Sequence, residues 1–174
     1  MLVNMSDKTI TYKIVYYGAA MSGKTTNVRY IAEEAKKQSS VAGEMLSLAT
    51  RGERTLFFDT ARLNFGEVGG FKTQFNLYTT PGQMSYITKR RLVLYGADAV
   101  VFVMDSQLTR QRDNLQSWYS LERQLFELKR DRRDIPMIAQ LNKRDMPYVA
   151  SVEQMLKSIH AKDLAHIEAS AESG

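Results

Sequence analysis

The sequence predicts an α/β fold: a mostly parallel sheet with helices on both faces. Three observations carry that expectation. Short β-branched and aromatic runs alternate along the chain with longer stretches of helical periodicity. The run Ala97 to Met104 (Ala-Asp-Ala-Val-Val-Phe-Val-Met) is nearly continuous apolar sequence, as in a strand buried on both faces. The 174 residues, 44% hydrophobic and 25% charged, have the proportions of an ordinary globular domain. A chain of this length buries roughly 70% of its unfolded surface, enough for one core without metal or disulfide staples.

Taken in order, the elements are these. Ile10 to Tyr17 is β-branched and aromatic and stops at Gly18, so it reads as a strand. Val28, Ile31, Ala32 and Ala35 then fall at helical spacing, ahead of the polar Lys36–Ser40. Phe65 to Thr79 reads as a hairpin turning at Gly69-Gly70, with Phe71, Thr73, Phe75 and Leu77 alternating after the turn. It is the one antiparallel hairpin in the predicted sheet. After the buried strand at Ala97–Met104, Trp118, Leu121, Leu125 and Leu128 mark one face of a long helix. Pro136 to Leu141 is a second short buried strand. Ser151 and Gln154 have the spacing of a capping box that opens a helix through Ile159. Ala165 to Ala169 is the last strand. Ligands of such sheets bind at the carboxyl ends of the strands.

Composition excludes several classes of function. There are no cysteines, so disulfides, Cys-ligated zinc, a thiolate nucleophile, palmitoylation and prenylation are ruled out, and no lipid anchor of these kinds is expected. No apolar run approaches the roughly 20 residues that cross a bilayer. Met1 to Lys8 has no signal-peptide core. The expectation is one cytoplasmic domain over residues 1–174, without stable membrane insertion. With 24 Lys+Arg against 19 Asp+Glu the net charge is +5 and the pI about 9.4, which suits a polyanionic ligand. The nine Met and nine Tyr show no base-stacking pattern, so no nucleic-acid partner is expected.

The strongest chemical signal is Gly18-Ala19-Ala20-Met21-Ser22-Gly23-Lys24-Thr25, a complete G-x-x-x-x-G-K-[ST] between a predicted strand and a predicted helix. Small residues let successive N–H groups curl around a β-phosphate, and the helix N-terminus adds partial positive charge. Lys24 then reaches the β- and γ-phosphates while the Thr25 hydroxyl ligates Mg²⁺, with Thr26 following in the binding segment. The chain is therefore expected to have the P-loop NTPase fold. Asn142-Lys143-Arg144-Asp145 follows the strand Pro136–Leu141 and so stands at its carboxyl end. A carboxylate at Asp145 accepts two hydrogen bonds from guanine, a donor pair that adenine lacks. Ser170 and Ala171, after the last strand, are candidates to meet the base, with the Ala171 N–H against guanine O6. Asp105 ends a strand that also resembles a Walker B strand, which leaves open a P-loop kinase or ATPase.

The chain resembles the Ras-like small GTPases and, more closely, the bacterial MglA-type GTPases of cell polarity and gliding motility. The resemblance lies in Val15–Gly18, Ser22–Thr26, Glu44-Met45 with Ser47–Thr50, Glu53–Asp59, Gly66–Val68, Tyr78-Thr79 with Pro81-Gly82-Gln83, and Asn142–Asp145. It implies a switch that binds GTP and GDP with Mg²⁺ and hydrolyses GTP. It also implies a roadblock-domain, MglB-like activating partner, downstream polarity or motility effectors, and recruitment to a cell pole. By the same resemblance Thr55 closes on Mg²⁺ and the γ-phosphate, Gln83 after Gly82 orients the attacking water, and Arg54 is an arginine finger supplied in cis.

Three departures stand out. Thr79 occupies the position of the Asp in D-x-x-G, so the second-sphere Mg²⁺ carboxylate has to come from elsewhere, with Asp59 as candidate. Ala20 stands where glycine is usual, and its Cβ crowds the finger and the glutamine; a weakly hydrolysing, nucleotide-locked scaffold is the non-enzymatic alternative. The sequence stops at Gly174, before the usual C-terminal helix. Of the remaining basic runs, Lys129–Arg133 is expected to close the long helix, favoured by its dipole. Lys89-Arg90-Arg91 reads either as a solvated helix face or as a partner contact near the switch. His160 and His166 lack metal-ligand spacing.

Overall fold

A computed structural model of the chain describes residues 1–37, 42–47, 59–83 and 86–173. The elements in chain order are β1 (Leu2–Asn4), β2 (Thr9–Gly18), α1 (Lys24–Lys37), β3 (Ala42–Ser47), β4 (Asp59–Val68), β5 (Phe71–Thr79), α2 (Ile87–Leu94), β6 (Ala99–Asp105), α3 (Gln111–Glu127), β7 (Met137–Asn142), α4 (Val152–Ser158) and β8 (His166–Glu168). They build one sheet in the order β3-β4-β5-β2-β6-β7-β8, with β1 paired to the start of β2. The pairs β2–β5, β2–β6, β6–β7 and β7–β8 are parallel; β1–β2, β3–β4 and β4–β5 are antiparallel.

Alternation along the central strands explains the two-faced core. Val15 and Tyr17 of β2 point to one side of the sheet, with Val100, Phe102 and Met104 of β6, and meet Val93, Leu94, Trp118, Leu121, Leu125 and Met155 from α2, α3 and α4. Tyr16 and Val103 point to the other side and meet Val28, Ala32 and Ala35 of α1 together with Ala61, Leu63 and Leu77. A strand covered on both sides has to be apolar throughout, hence the unbroken run at 99–104. Phe102 and Trp118 lock the larger face edge-to-face, with centroids 4.9 Å apart and planes at 73°.

Several elements depart from the expectations. The hairpin is longer than Phe65–Thr79, because β4 begins at Asp59. Its first half alternates buried Ala61 and Leu63 with exposed Arg62 and Asn64. The strands β1 and β3 add two antiparallel pairings that periodicity did not mark. The long helix ends at Glu127, so Lys129–Arg133 does not close it. Lys129 takes a left-handed φ of 56°, Arg130 turns back onto the Ala97 carbonyl, and the Arg132 guanidinium lies 5.5 Å from the Trp118 ring centroid. The capping box is present as expected: Ser151 Oγ accepts from Gln154 N, and Ser151 N donates to the Gln154 side chain. Among the described residues no helix is long and apolar enough to cross a membrane.

Candidate functional site

The carboxyl ends of β2, β5, β6 and β7 meet in one place, and the loops that follow them build the site. The first is the loop between β2 and α1. Gly18 packs so closely on β6 that a Cβ there would stand 2.2 Å from the Val103 carbonyl oxygen. Gly23 has φ +97°, and its Cβ would meet Asn142 Nδ2 at 2.2 Å. Glycine is required at both positions, one for close approach and the other for backbone conformation as well. Lys24 folds back over the loop, and its ammonium donates to the carbonyls of Gly18 (3.1 Å) and Ala19 (2.5 Å). It is 5% exposed. Burial, then the neighbouring Arg90 guanidinium, lower its pKa to about 7. An anion placed against it would oppose both effects by favouring the charged form.

Thr25 Oγ1 donates to Asp59 Oδ2 at 2.6 Å, across 34 residues of chain. Asp59 opens β4 beside Thr79 at the end of β5. The Thr79 hydroxyl accepts from Asp59 N at 2.9 Å and lies 3.5 Å from Asp59 Oδ2. A carboxylate stands beside the loop's threonine although the D-x-x-G position is occupied by threonine. Hydroxyl and carboxylate oxygens are the hard donors that Mg²⁺ takes, so this pair fits that ion. Among the described residues there is no cluster of three or more His, Cys, Asp or Glu that could hold a metal unaided.

The second loop follows β7. Asn142 Nδ2 donates to the Ser22 carbonyl (2.8 Å) and its Oδ1 accepts from Ala171 N (2.9 Å), tying the phosphate-loop segment to the segment after β8. Lys143 Nζ donates to Asp105 Oδ2 at 2.8 Å, and Arg144 pairs with Glu168 at 2.7 Å. Around this staple lies a cavity of about 220 Å³, lined by Gly23, Thr26, Asn142, Lys143, Asp145, Met146, Ser170, Ala171 and Glu172. The structure therefore brings Thr26, Asn142, Lys143, Asp145, Ser170 and Ala171 together. The Ala171 N–H, the group expected to meet guanine O6, donates here to Asn142 Oδ1.

The third segment, Thr80–Gln83, runs from the end of β5 over the phosphate loop. Thr80 N and Oγ1 both donate to Tyr16 O. Gly82 lies against Ala20: a Cβ on Gly82 would stand 2.3 Å from Ala20 Cα and 2.7 Å from its N. Gln83 sits at a second cavity of about 180 Å³ with Ala19, Ala20, Gly82, Arg90 and Arg110 among its walls. Arg54 and Thr55 lie outside the described residues.

Four neighbours of the site escaped the sequence reading. Arg90 is no solvated face residue: it is 0% exposed, and its Nε donates to Pro81 O at 2.7 Å. Its spacing from Val93 and Leu94 was the available signal, since all three share the buried face of α2. Arg110 Nη2 donates to Ala20 O at 2.7 Å. Asn27 Nδ2 donates to Gly23 O at 2.8 Å, and Gln140 Nε2 donates to Asn27 Oδ1 at 2.5 Å. The partners of Arg110 and Gln140 are set only by tertiary placement.

No family model matches the chain. Over 172 residues, 99% of this chain and 87% of the relative, it is 44% identical to "Mutual gliding-motility protein MglA" of Myxococcus xanthus (strain DK1622).

Proposed function

The chain belongs to the MglA family of Ras-like small GTPases, and on that footing we propose that it binds GTP and GDP with Mg²⁺ and hydrolyses GTP to GDP. The observation that carries this reading is the meeting of Thr25 with Asp59 at one end of the phosphate loop and of Ser22 with Asn142 at the other. One contact supplies oxygens for a phosphate-bound cation, and the other joins the phosphate loop to the candidate base pocket.

In this reading Lys24, held by the loop carbonyls, turns to the β- and γ-phosphates, whose charge favours its protonated form. Thr25 and Thr55 would hold Mg²⁺, with Asp59, fixed by Thr79, as the acid behind them. The ion would supply positive charge against the phosphate oxygens. Gln83, following Gly82, aligns the attacking water, and Arg54 spreads the developing charge, a role typically worth about 10³–10⁵ in rate. Asp145 accepts from guanine N1 and N2. Asp105 does not suit the kinase or ATPase reading, because its carboxylate is engaged by Lys143 Nζ and Gln107 N. The close packing of Gly82 on Ala20 favours slow turnover within the GTPase reading.

The relative's name carries gliding motility, and we extend that to this chain: a cytoplasmic switch for cell polarity or motility, recruited to a cell pole and stimulated by a roadblock-domain, MglB-like protein. The test is to denature the purified protein and identify the released nucleotide by chromatography. Guanine nucleotide is the expected result, and adenine nucleotide would sink the assignment. Gln83→Leu should leave GTP binding intact and abolish stimulated turnover. Asp145→Asn should relax guanine specificity.

A further inference from the structure

Arg90 carries its charge into the fully buried layer beneath the Gln83 segment, and among the described residues no carboxylate pairs with it. Its partners are carbonyls and a phenol. Nε donates to Pro81 O at 2.7 Å, Nη2 donates to Gly82 O, and Nη1 reaches Tyr17 Oη at 3.4 Å with the guanidinium 5.4 Å from that ring's centroid. Tyr17 Oη is itself fixed from α3, accepting from Gln124 Nε2 at 2.9 Å and lying 3.0 Å from Ser120 Oγ. The two carbonyls belong to the two residues immediately before Gln83. A buried cation without an acid partner is costly, and carbonyl dipoles offset only part of that cost.

We propose that Arg90 is a positioning residue for the γ-phosphate end of the site: its planar fork holds the Pro81 and Gly82 carbonyls, keeping Gly82 against Ala20 and Gln83 at the mouth of the phosphate loop. This rests on the GTPase reading above and adds to it a residue that touches neither nucleotide nor water. The geometry requires arginine. Two donors in one rigid plane satisfy consecutive carbonyls while a third reaches Tyr17, whereas a lysine ammonium keeps the charge and loses the fork. Because the fork acts on the segment that senses the third phosphate, its loss falls on GTP more than on GDP.

The test uses the full chain with Arg90→Lys and, as a milder change, Tyr17→Phe, which keeps the ring under the guanidinium and removes its oxygen. The dissociation constants of GDP and of a non-hydrolysable GTP analogue are measured, together with single-turnover GTP hydrolysis at saturating substrate. In Arg90→Lys the analogue-to-GDP preference and the hydrolysis rate should each fall about 10-fold or more while GDP affinity changes by less than about 3-fold, the mark of an interaction made only at the third phosphate. Tyr17→Phe should move the same two quantities in the same direction by less, and it decides the matter if Arg90→Lys does not fold. Unchanged preference and rate in the folded variants would overturn the proposal, as would equal losses for GDP and analogue. A wild-type chain that binds both nucleotides but does not hydrolyse GTP refutes turnover alone, since the preference ratio still reports on Arg90. A wild-type chain that binds neither overturns both readings.

Discussion

Replacing Asn142 by alanine removes a side chain that is 1% exposed and joins segments 120 and 29 residues away in sequence. Each of its two hydrogen bonds contributes about 1 kcal/mol net, and stranding a buried carbonyl or amide adds about 1–3 kcal/mol. Two bonds and one stranded partner give an expected loss of about 3–5 kcal/mol, which for a chain of 174 residues lowers Tm by roughly 6–20 °C. Asn142→Asp separates the halves: it still accepts from Ala171 N, but sets a carboxylate against the Ser22 carbonyl, so it should cost at least as much as alanine. Gly23 supplies an internal control. Its Cβ would collide with Asn142 Nδ2 at 2.2 Å, so Gly23→Ala should be less harmful in the Asn142→Ala background, where only the strain of φ +97° remains. The assay is urea unfolding followed by circular dichroism for the four members of the cycle, with a coupling above about 0.5 kcal/mol expected. A loss below about 1 kcal/mol for Asn142→Ala, or strict additivity with Gly23→Ala, would refute the staple.

Three further outcomes are expected. Gly82→Ala forces its Cβ to within 2.3 Å of Ala20 Cα; the segment must lift from the phosphate loop, and GTP turnover should drop about 10-fold or more in single-turnover assays while the far-UV spectrum is unchanged. Trp118→Ala empties the centre of the larger core face and should cost about 3–5 kcal/mol in urea unfolding. Burial pushes the Tyr16 phenol up to about 12. The folded state then holds this proton longer than the unfolded chain, so stability from this group is intact below pH 10 and falls as pH rises from 10 to about 12, by about 2–3 kcal/mol. Comparing alkaline unfolding of wild type and Tyr16→Phe checks it, and equal curves would show that Tyr16 ionises freely.

The phosphate loop and the Asn142–Asp145 loop were legible in the sequence because each is a short run whose spacing carries its own chemistry. The two-faced sheet was legible for a related reason: burial on both faces leaves an unbroken apolar run at 99–104. What the sequence hid depends on contacts between distant segments. Arg90 lies in a basic triplet that reads as polar surface until Tyr17, Pro81 and Gly82 are seen around it. Asp59 could be named only as a candidate, since nothing local shows that β4 starts opposite the end of β5. The last turn of the 111–127 helix was misjudged because Lys129–Arg133 offers favourable charge for a helix end, while the left-handed Lys129 breaks away to let Arg132 cover Trp118.

The pairing of Asp59 with Thr79 bears on how such proteins diverge. On the proposed reading, the carboxylate that the cation site requires comes from the neighbouring strand, and a small hydroxyl residue holds it by hydrogen bonds to both backbone and side chain. Two adjacent strands thus share one chemical requirement, and either can meet it. Neither position is free to drift alone: a second acid at Thr79 would place like charges together, and loss of Asp59 with threonine retained would leave the loop without an acid. Substitutions at these two sites should therefore occur as linked pairs across related sequences, and a search that demands the acid at one fixed place in the chain will pass over members that carry it on the other strand.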